Sequence, residues 1–184
     1  MAQFYGILLL LFCFAGPSQM AKLRLQLMWR SFKCATNPDY ISQYKCLILE
    51  EDRSLLTSEM NYIQDVTQYN ATFKLFMPRK PNTRFQKVLD INVDICQFAK
   101  GVHGHRFMTV VIKAFGKQGS QLKCPHPKGL YVYPNINIAE NLPAFLPETE
   151  FRIEMNFLTT ETHLVNVSLA GFLYDPQKKR GKVV

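Results

Sequence analysis

The stretch from Phe85 to Cys96 alternates between apolar and polar residues. On one side fall Phe85, Leu89, Ile91, Val93 and Ile95, and on the other fall Gln86, Asp90, Asn92 and Asp94. A period of two residues is typical of a β-strand with one buried face and one solvated face. The pattern therefore predicts a strand that runs into Cys96.

A second periodicity follows this strand. Apolar residues recur at helical spacing at Phe107, Val110, Val111, Ala114 and Phe115, which predicts an amphipathic helix. A turn-rich run with the sequence Cys-Pro-His-Pro-Lys-Gly comes next and ends at Gly129. We interpret the strand, the helix and the turn as one unit bounded by two cysteines, against which the rest of the chain packs. His126, which lies between two prolines in the turn, is expected to be exposed.

Shorter alternating patterns predict further strands on both sides of this unit. They cover residues 22–32, 43–49, 55–63, 69–75, 130–138, 151–157 and 163–174. Pro134 places the 130–138 strand at a sheet edge or at a bulge, because proline cannot donate a ladder hydrogen bond. About seven or eight strands, one short helix and closely spaced turn signals predict a mainly β protein, a disulfide-bonded antiparallel β-sandwich.

The length and composition of the chain fit this single domain. The chain has 184 residues, of which 47% are hydrophobic, and a formal net charge of +8. A positive net charge favours anionic partners such as phospholipid head groups, sulfated glycans or acidic small molecules. The alternative is that the charge only keeps the protein soluble. Nucleic acid is not expected as a partner, because the basic residues are scattered and the chain carries an export signal.

The export signal is an uncharged apolar run from Ile7 to Phe14, followed by small residues up to Ser18. This pattern predicts a signal peptide over residues 1–18, a sandwich domain over 19–175 and a basic tail over 176–184. The run is shorter than the roughly 20 residues that a membrane span needs, so no transmembrane segment is predicted. An amphipathic first strand or an uncleaved anchor remains the alternative. We expect a secreted, extracellular protein.

Removal of the leader removes Cys13 and leaves four cysteines: Cys34, Cys46, Cys96 and Cys124. An even count in an exported chain predicts two disulfides, and four cysteines allow three pairings. We favour Cys34 with Cys46 and Cys96 with Cys124, because each pair closes a local loop between neighbouring elements. Paired C-x-x-C spacing is absent, which argues against a zinc site.

Two N-glycosylation motifs agree with export. One is Asn70-Ala71-Thr72 and the other is Asn166-Val167-Ser168. Each matches the acceptor pattern N-x-S/T. We therefore predict glycans at Asn70 and Asn166.

The sequence lacks the common enzyme motifs. It has no G-x-S-x-G elbow, no H-E-x-x-H and no P-loop, so neither catalysis nor a cofactor is predicted. His103 and His105 flank a single glycine, but no third ligand is placed beside them. We therefore predict no metal site.

Large apolar side chains on the strand faces are the remaining candidates for a site. They are Trp29, Phe73, Leu75, Phe85, Phe151, Met155, Phe157 and Phe172. They form either an ordinary core or the lining of a cavity between two splayed sheets, where an acyl chain would bind. Basic residues at the mouth of that cavity would favour an anionic head group. The candidates are Arg79, Lys80, Arg84, Lys123 and Lys128.

Four features of the sequence together resemble DUF1091, also called DM8, a family of secreted insect proteins. They are the run from Val93 to Phe98, the helix after it, Cys124-Pro125, and the run from Gly129 to Tyr131. The resemblance extends from about residue 23 to residue 172. His126-Pro127 departs from it, since members often carry an aromatic residue and then glycine there.

The DUF1091 family is similar to the MD-2-related lipid-recognition and GM2-activator-like sandwiches. The resemblance implies a secreted β-sandwich without catalysis, a Cys96–Cys124 disulfide, and binding of a lipid or a hydrocarbon-like signal. Our first hypothesis is therefore a secreted, non-enzymatic protein that holds a lipid or other apolar ligand, of chemosensory or pheromone type, between two sheets. The alternative is an extracellular domain that docks on a receptor or an anionic glycan and has no internal ligand.

Overall fold

The computed structural model describes residues 25–79, 84–100, 114, 124–142 and 146–176. The strands are β1 (Gln26–Thr36), β2 (Ile41–Ile48), β3 (Leu55–Tyr62), β4 (Asn70–Arg79), β5 (Arg84–Asp94), β6 (Gly129–Asn137), β7 (Thr149–Leu158) and β8 (His163–Tyr174). A short helix, α1 (Ile95–Ala99), follows β5, and a 3-10 turn spans Ala139–Asn141. The strands form a five-stranded sheet in the order β1-β8-β7-β4-β5 and a three-stranded sheet in the order β2-β3-β6. All pairings are antiparallel, which confirms the predicted antiparallel sandwich.

The register of the five-stranded sheet aligns apolar residues in rows across its inner face. One row holds Ile91, Phe73, Met155 and Val167, and the next holds Leu89, Leu75, Ile153 and Leu169. The row between them holds Asp90, Lys74, Glu154 and Ser168. Because side chains alternate across a strand, the apolar rows face the second sheet and the polar row faces solvent.

The two sheets are joined along the edge where β1 meets β2. The backbone N–H of Trp29 donates to the carbonyl of Arg53 (2.9 Å), and the indole Nε1 of Trp29 donates to the carbonyl of Ser54 (3.1 Å). A disulfide links Cys34 on β1 to Cys46 on β2. This edge of the sandwich is therefore closed by both backbone and covalent connections.

The opposite edge, between β5 and β6, is bridged differently. The Cys96–Cys124 disulfide ties α1 to the segment that leads into β6, so the structure contains the two pairings that we favoured. The predicted continuation of the strand through Ile95 is wrong. The Asp94 carboxylate accepts from the N–H groups of Cys96 (2.8 Å) and Gln97 (3.0 Å), and this cap starts a helix at Ile95.

Most of the predicted helix at 107–115 lies outside the described residues. Ala114 is described, and it is helical and buried. Residues 22–24 of the first predicted strand also lie outside them. Pro134 lies on β6, an edge strand of the three-stranded sheet, where the register shifts and Asn135 adopts a positive φ of 52°. The expected edge and bulge at this proline are confirmed.

A bulge in β5 changes which face Phe85 occupies. Leu89 pairs with Leu75 and Lys87 pairs with Phe76, which leaves Val88 as the extra residue. On the N-terminal side of Val88, the residues that face inward and outward are therefore exchanged relative to the simple alternation. Phe85 therefore lies on the outer face, where the guanidinium of Arg152 covers its ring at 4.1 Å, and the expectation that Phe85 shares a face with Leu89 is wrong.

Gly171 allows the closest packing beneath Trp29. The Trp29 and Phe151 rings meet edge to face with centroids 5.5 Å apart, and both lie over Gly171. A Cβ atom added to Gly171 would lie 2.8 Å from the Met28 carbonyl oxygen and 3.1 Å from each ring. The backbone oxygen cannot move aside without disturbing the β1–β8 ladder.

We therefore expect Gly171→Ala to destabilise the protein by about 1–3 kcal/mol, the usual cost of overpacking a core. Denaturant unfolding of protein made in the bacterial periplasm measures this change. Ser168→Ala, on the solvated face of the same strand, is the matched control and should change stability by less than about 0.5 kcal/mol. Equal stability of Gly171→Ala and the parent protein would show that the contact under Trp29 is looser than described.

Candidate functional site

The structure places most of the candidate lining residues on one surface, the inner face of the five-stranded sheet. These are Trp29, Phe73, Leu75, Phe151, Met155 and Phe157. Phe85 and Phe172 lie on the outer face instead. Phe172 follows Gly171, which faces inward beneath Trp29, so alternation points Phe172 to solvent, where Arg30 covers its ring at 4.8 Å.

Burial changes across the inner face. Beside the closed edge, Trp29 is 1% exposed and Leu169 is 3% exposed. Towards β5, Leu75, Ile91 and Met155 are only half-buried although they face inward. The half-buried apolar side chains Met60 and Tyr133 of the three-stranded sheet pack against the same core. Phe73 on β4 is nevertheless 4% exposed and Phe32 on β1 is half-buried, so accessible apolar side chains lie among buried ones across the inner face.

The inner face carries no charged side chain in its central rows. The row of Ile91 and the row of Leu89 are apolar, and the next row holds Val93, Ala71, Phe157 and Val165. The inward residues of β3 are Leu56, Ser58, Met60 and Tyr62. We call the part of these three uncharged, partly accessible rows that lies on β4, β5 and β7 the apolar strip.

One end of the apolar strip is closed by what we call the tyrosine–histidine cluster: Tyr62, Tyr69, His126, Tyr131 and Tyr133. The imidazole of His126 stacks on the ring of Tyr131 with centroids 4.0 Å apart, and the Tyr62 ring meets it edge on at 4.7 Å. Tyr69 lies 6.0 Å away. The backbone of His126 pairs with that of Val66 through two hydrogen bonds of 2.8 Å.

The expectation that His126 is exposed is wrong, because this side chain is 3% exposed. Pairing with Val66 draws the turn inward, against side chains from β3 and from the start of β4. The sequence signal for this cluster was the alternation of Tyr131 and Tyr133, which places both tyrosines on the inner face of β6. The partner on the other side, Tyr62, is distant in sequence and carried no such signal.

The ionisable groups of the cluster are neutral, because burial opposes their charged forms. Both ring nitrogens of His126 are buried and lack a hydrogen-bond partner. Burial lowers the pKa of His126 to about 4. Burial also raises the pKa of the hydroxyls of Tyr62 and Tyr69, and it raises the pKa of Tyr133 to about 12. At neutral pH the cluster therefore offers hydrogen-bonding groups but no charge.

The structure brings together only some of the basic residues expected at a cavity mouth. Arg79 and Arg84 pair at the far end of β4 and β5. Lys128 lies at the other end, where its backbone N–H donates to Asp65 (2.8 Å) beside the cluster. Lys80 and Lys123 lie outside the described residues. Of the three described candidates, Arg79 and Arg84 therefore lie together and Lys128 lies apart from them.

Two further sequence predictions concern metals and membranes. Within the described ranges, no group of three or more His, Cys, Asp and Glu side chains is placed to hold a metal ion. His103 and His105 lie outside those ranges. No helix in the part of the chain that the structure describes is both long and apolar enough to cross a bilayer.

Both predicted glycosylation motifs lie on the outer face of the five-stranded sheet. Asn166 is exposed on β8 and borders a shallow surface groove of about 230 Å³. Asn70 begins β4 and is half-buried, and its motif residue Thr72 accepts a hydrogen bond from the Asn156 amide (3.2 Å). Thr72, Asn156 and Asn166 fall in the same cross-strand row, so the two motifs are close in space.

Comparison with known proteins agrees with the family resemblance. Residues 71–153 match the family model described as "Protein of unknown function (DUF1091)", which confirms the resemblance to DUF1091 over that segment. No curated protein matches the chain. Among solved structures, chicken MD-1 complexed with lipid IVa is similar, with a TM-score of 0.42 and 12% sequence identity, over 82% of this chain and 91% of that chain. A likeness this slight does not establish a shared ligand.

The buried, unpaired state of His126 has a consequence for stability. A histidine with a folded pKa of about 4 stays neutral in the folded protein, whereas the unfolded chain binds a proton below about pH 6.5. The contribution of His126 to stability should therefore be constant above pH 7 and fall by about 1.4 kcal/mol per pH unit below 6.5, to a loss of about 3 kcal/mol near pH 4. The groups that face the imidazole are the rings of the neutral Tyr62, Tyr69 and Tyr131, with Asp65 nearby.

Urea unfolding between pH 7.5 and pH 4.5 tests this loss. His126→Phe, which keeps an aromatic ring in the cluster, should flatten the dependence relative to the parent protein. His163→Gln, at an exposed histidine, is the control and should leave the dependence unchanged. Parallel pH profiles for the parent and His126→Phe would exclude His126 as the cause.

Proposed function

We propose that the protein is a secreted, non-enzymatic binding protein that holds a lipid or other apolar ligand between its two sheets. The observation that supports this proposal is the apolar strip, where inward side chains such as Leu75, Ile91 and Met155 remain half-buried. A fully packed core would bury such side chains. Leaving them accessible costs free energy that a bound apolar molecule would recover.

The energy available from such burial is sufficient for binding. Each methylene group moved from water into an apolar site contributes about 0.8 kcal/mol. A chain of about ten carbons therefore supplies about 8 kcal/mol, from which the loss of translational and conformational freedom must be subtracted. No catalytic group is needed for this function. The family resemblance favours a chemosensory or pheromone-type ligand.

The proposal includes export. Residues 1–18 would act as the leader, residues 19–175 as the mature domain and residues 176–184 as a basic tail. The support comes from the apolar run at the start of the sequence and from the two disulfides, since such bonds persist in oxidising compartments.

Native mass spectrometry of protein secreted from insect cells, followed by organic extraction, tests the binding function directly. We expect a discrete extra mass that solvent releases and that is identified as a lipid or another apolar molecule. A protein that stays empty when fatty acids, phospholipids and long-chain hydrocarbons are offered would contradict the proposal.

A variant that fills the apolar strip should block binding without unfolding the protein. Met155→Trp adds volume to the inner face and should weaken ligand binding by about tenfold, which corresponds to about 1.4 kcal/mol of steric cost. Glu154→Trp, at the neighbouring outward position on β7, is the matched control. Equal binding by both variants, at equal thermal stability, would place the ligand elsewhere.

We also propose glycans at Asn70 and Asn166. Treatment of the secreted protein with an N-glycosidase should lower its mass, and Asn70→Gln and Asn166→Gln should each remove one part of that shift. Because both motifs lie on the outer face of the five-stranded sheet, the glycans should leave ligand binding unchanged. Absence of any mass shift would rule out modification at both sites.

A further inference from the structure

We propose that the ligand is a neutral amphiphile whose single hydroxyl-type group pairs with His126 in the tyrosine–histidine cluster, while its chain lies along the apolar strip. This inference rests on the proposed function and adds the chemical class and the orientation of the ligand. It differs from the anionic head group that the basic composition favoured.

The first argument is the absence of charge along the strip. The three inner rows of the five-stranded sheet contain only uncharged side chains, and so do the inward positions of β3. Moving a carboxylate or phosphate into such surroundings without a cationic partner costs several kcal/mol. Of the described basic candidates, Arg79 and Arg84 pair at the far end of β4 and β5, and Lys128 lies at the other end, so none of them lies within these three rows. An ionised ligand is therefore disfavoured inside.

The second argument is the unmet hydrogen-bonding capacity of His126. A neutral imidazole has one N–H donor and one nitrogen acceptor, and both nitrogens here are buried without a partner. Because a buried polar group without a partner has lost its hydrogen bonds to water, native structures rarely keep such a pair unused. A hydroxyl group both donates and accepts, and it is thus the simplest ligand group that could satisfy either nitrogen.

The third argument is the position of the cluster relative to the strip. Tyr69 immediately precedes β4, and its carbonyl accepts from the N–H of Ile95, the first residue of α1. The inward residues of β4 that follow are Ala71, Phe73 and Leu75. From Tyr69 to Leu75 an extended strand covers about 20 Å. A ligand with its polar end at His126 would therefore have a continuous apolar track for its chain.

Entry of the hydroxyl group requires one ring of the cluster to move, because the cluster encloses His126. Tyr131 is anchored, since its hydroxyl donates to the Pro127 carbonyl (2.8 Å). The hydroxyl of Tyr62 makes a much weaker contact, 4.0 Å from the thioether sulfur of Met60. Methionine side chains adapt easily to new neighbours, so we expect Tyr62 to be the ring that gives way.

A series of ligands with the same chain length tests the inference. We would measure displacement of the fluorophore N-phenyl-1-naphthylamine by 1-hexadecanol, hexadecane and hexadecanoate at pH 8, where the acid is ionised. We expect the alcohol to bind at least about tenfold more tightly than either of the others, which corresponds to one satisfied buried hydrogen bond. Equal or tighter binding of hexadecanoate or hexadecane would overturn the inference and leave the proposed function intact. Binding of none of the three would sink the proposed function itself.

A variant assigns the preference to His126. His126→Phe should lose the preference for the alcohol over hexadecane, so that the two ligands bind about equally. His163→Gln should keep that preference, since His163 is exposed on the first residue of β8. Retention of the preference in His126→Phe would overturn the assignment.

A measurement on the unaltered protein covers the case in which His126→Phe does not fold. In protein labelled with 15N-histidine, 1-hexadecanol should shift the ring nitrogen signals of His126, and hexadecane should shift them much less. Identical spectra with and without bound alcohol would show that the hydroxyl group lies away from the imidazole.

Discussion

The connection between the two sheets at one edge of the sandwich determines how the interior side chains beside it pack. Trp29 holds this edge by donating from its backbone to Arg53 and from its indole to Ser54, and the guanidinium of Arg53 donates back to the Trp29 carbonyl. The Cys34–Cys46 disulfide covers the same edge. Trp29 and Leu169 beside this edge are almost completely buried, whereas Leu75 and Ile91 on β4 and β5 are half-buried although Phe73 on β4 is buried. The attachment therefore accounts for the close packing around Trp29.

The opposite edge depends on a second set of contacts, which also positions the cluster. The Cys96–Cys124 disulfide fixes the chain just before His126, and the backbone pairing with Val66 fixes His126 itself. The imidazole is thereby held between side chains of both sheets rather than on the surface. Because the disulfide and the backbone pairing hold His126 in place, its imidazole stays inside the apolar core even without a hydrogen-bond partner.

Local periodicity predicted the strands because the rule it uses, alternation across a half-buried sheet, acts within one strand. The 163–174 prediction matches β8 at both ends, and the 151–157 prediction lies within β7. Phe172 was misplaced although alternation along β8 already points it outward, whereas two other misplaced residues depend on a distant partner. Phe85 changed face because the ladder with β4 skips Val88, and His126 was drawn inside by Val66 and Tyr62. Neither contact has a signature in the neighbouring sequence, so the strip was largely predictable and the cluster was not.

The positive charge of the protein and the chemistry of its interior are separate properties. The net charge of +8 favours anionic partners only at the surfaces that carry the basic side chains. On the outer face, Arg30 and Arg152 cover the rings of Phe172 and Phe85, so these cations shield apolar surface from water while remaining solvated. The three inward rows of the apolar strip carry no charged side chain. An anionic molecule would therefore meet the basic outer surface, whereas a molecule held along the apolar strip would meet apolar side chains and the neutral groups of the cluster.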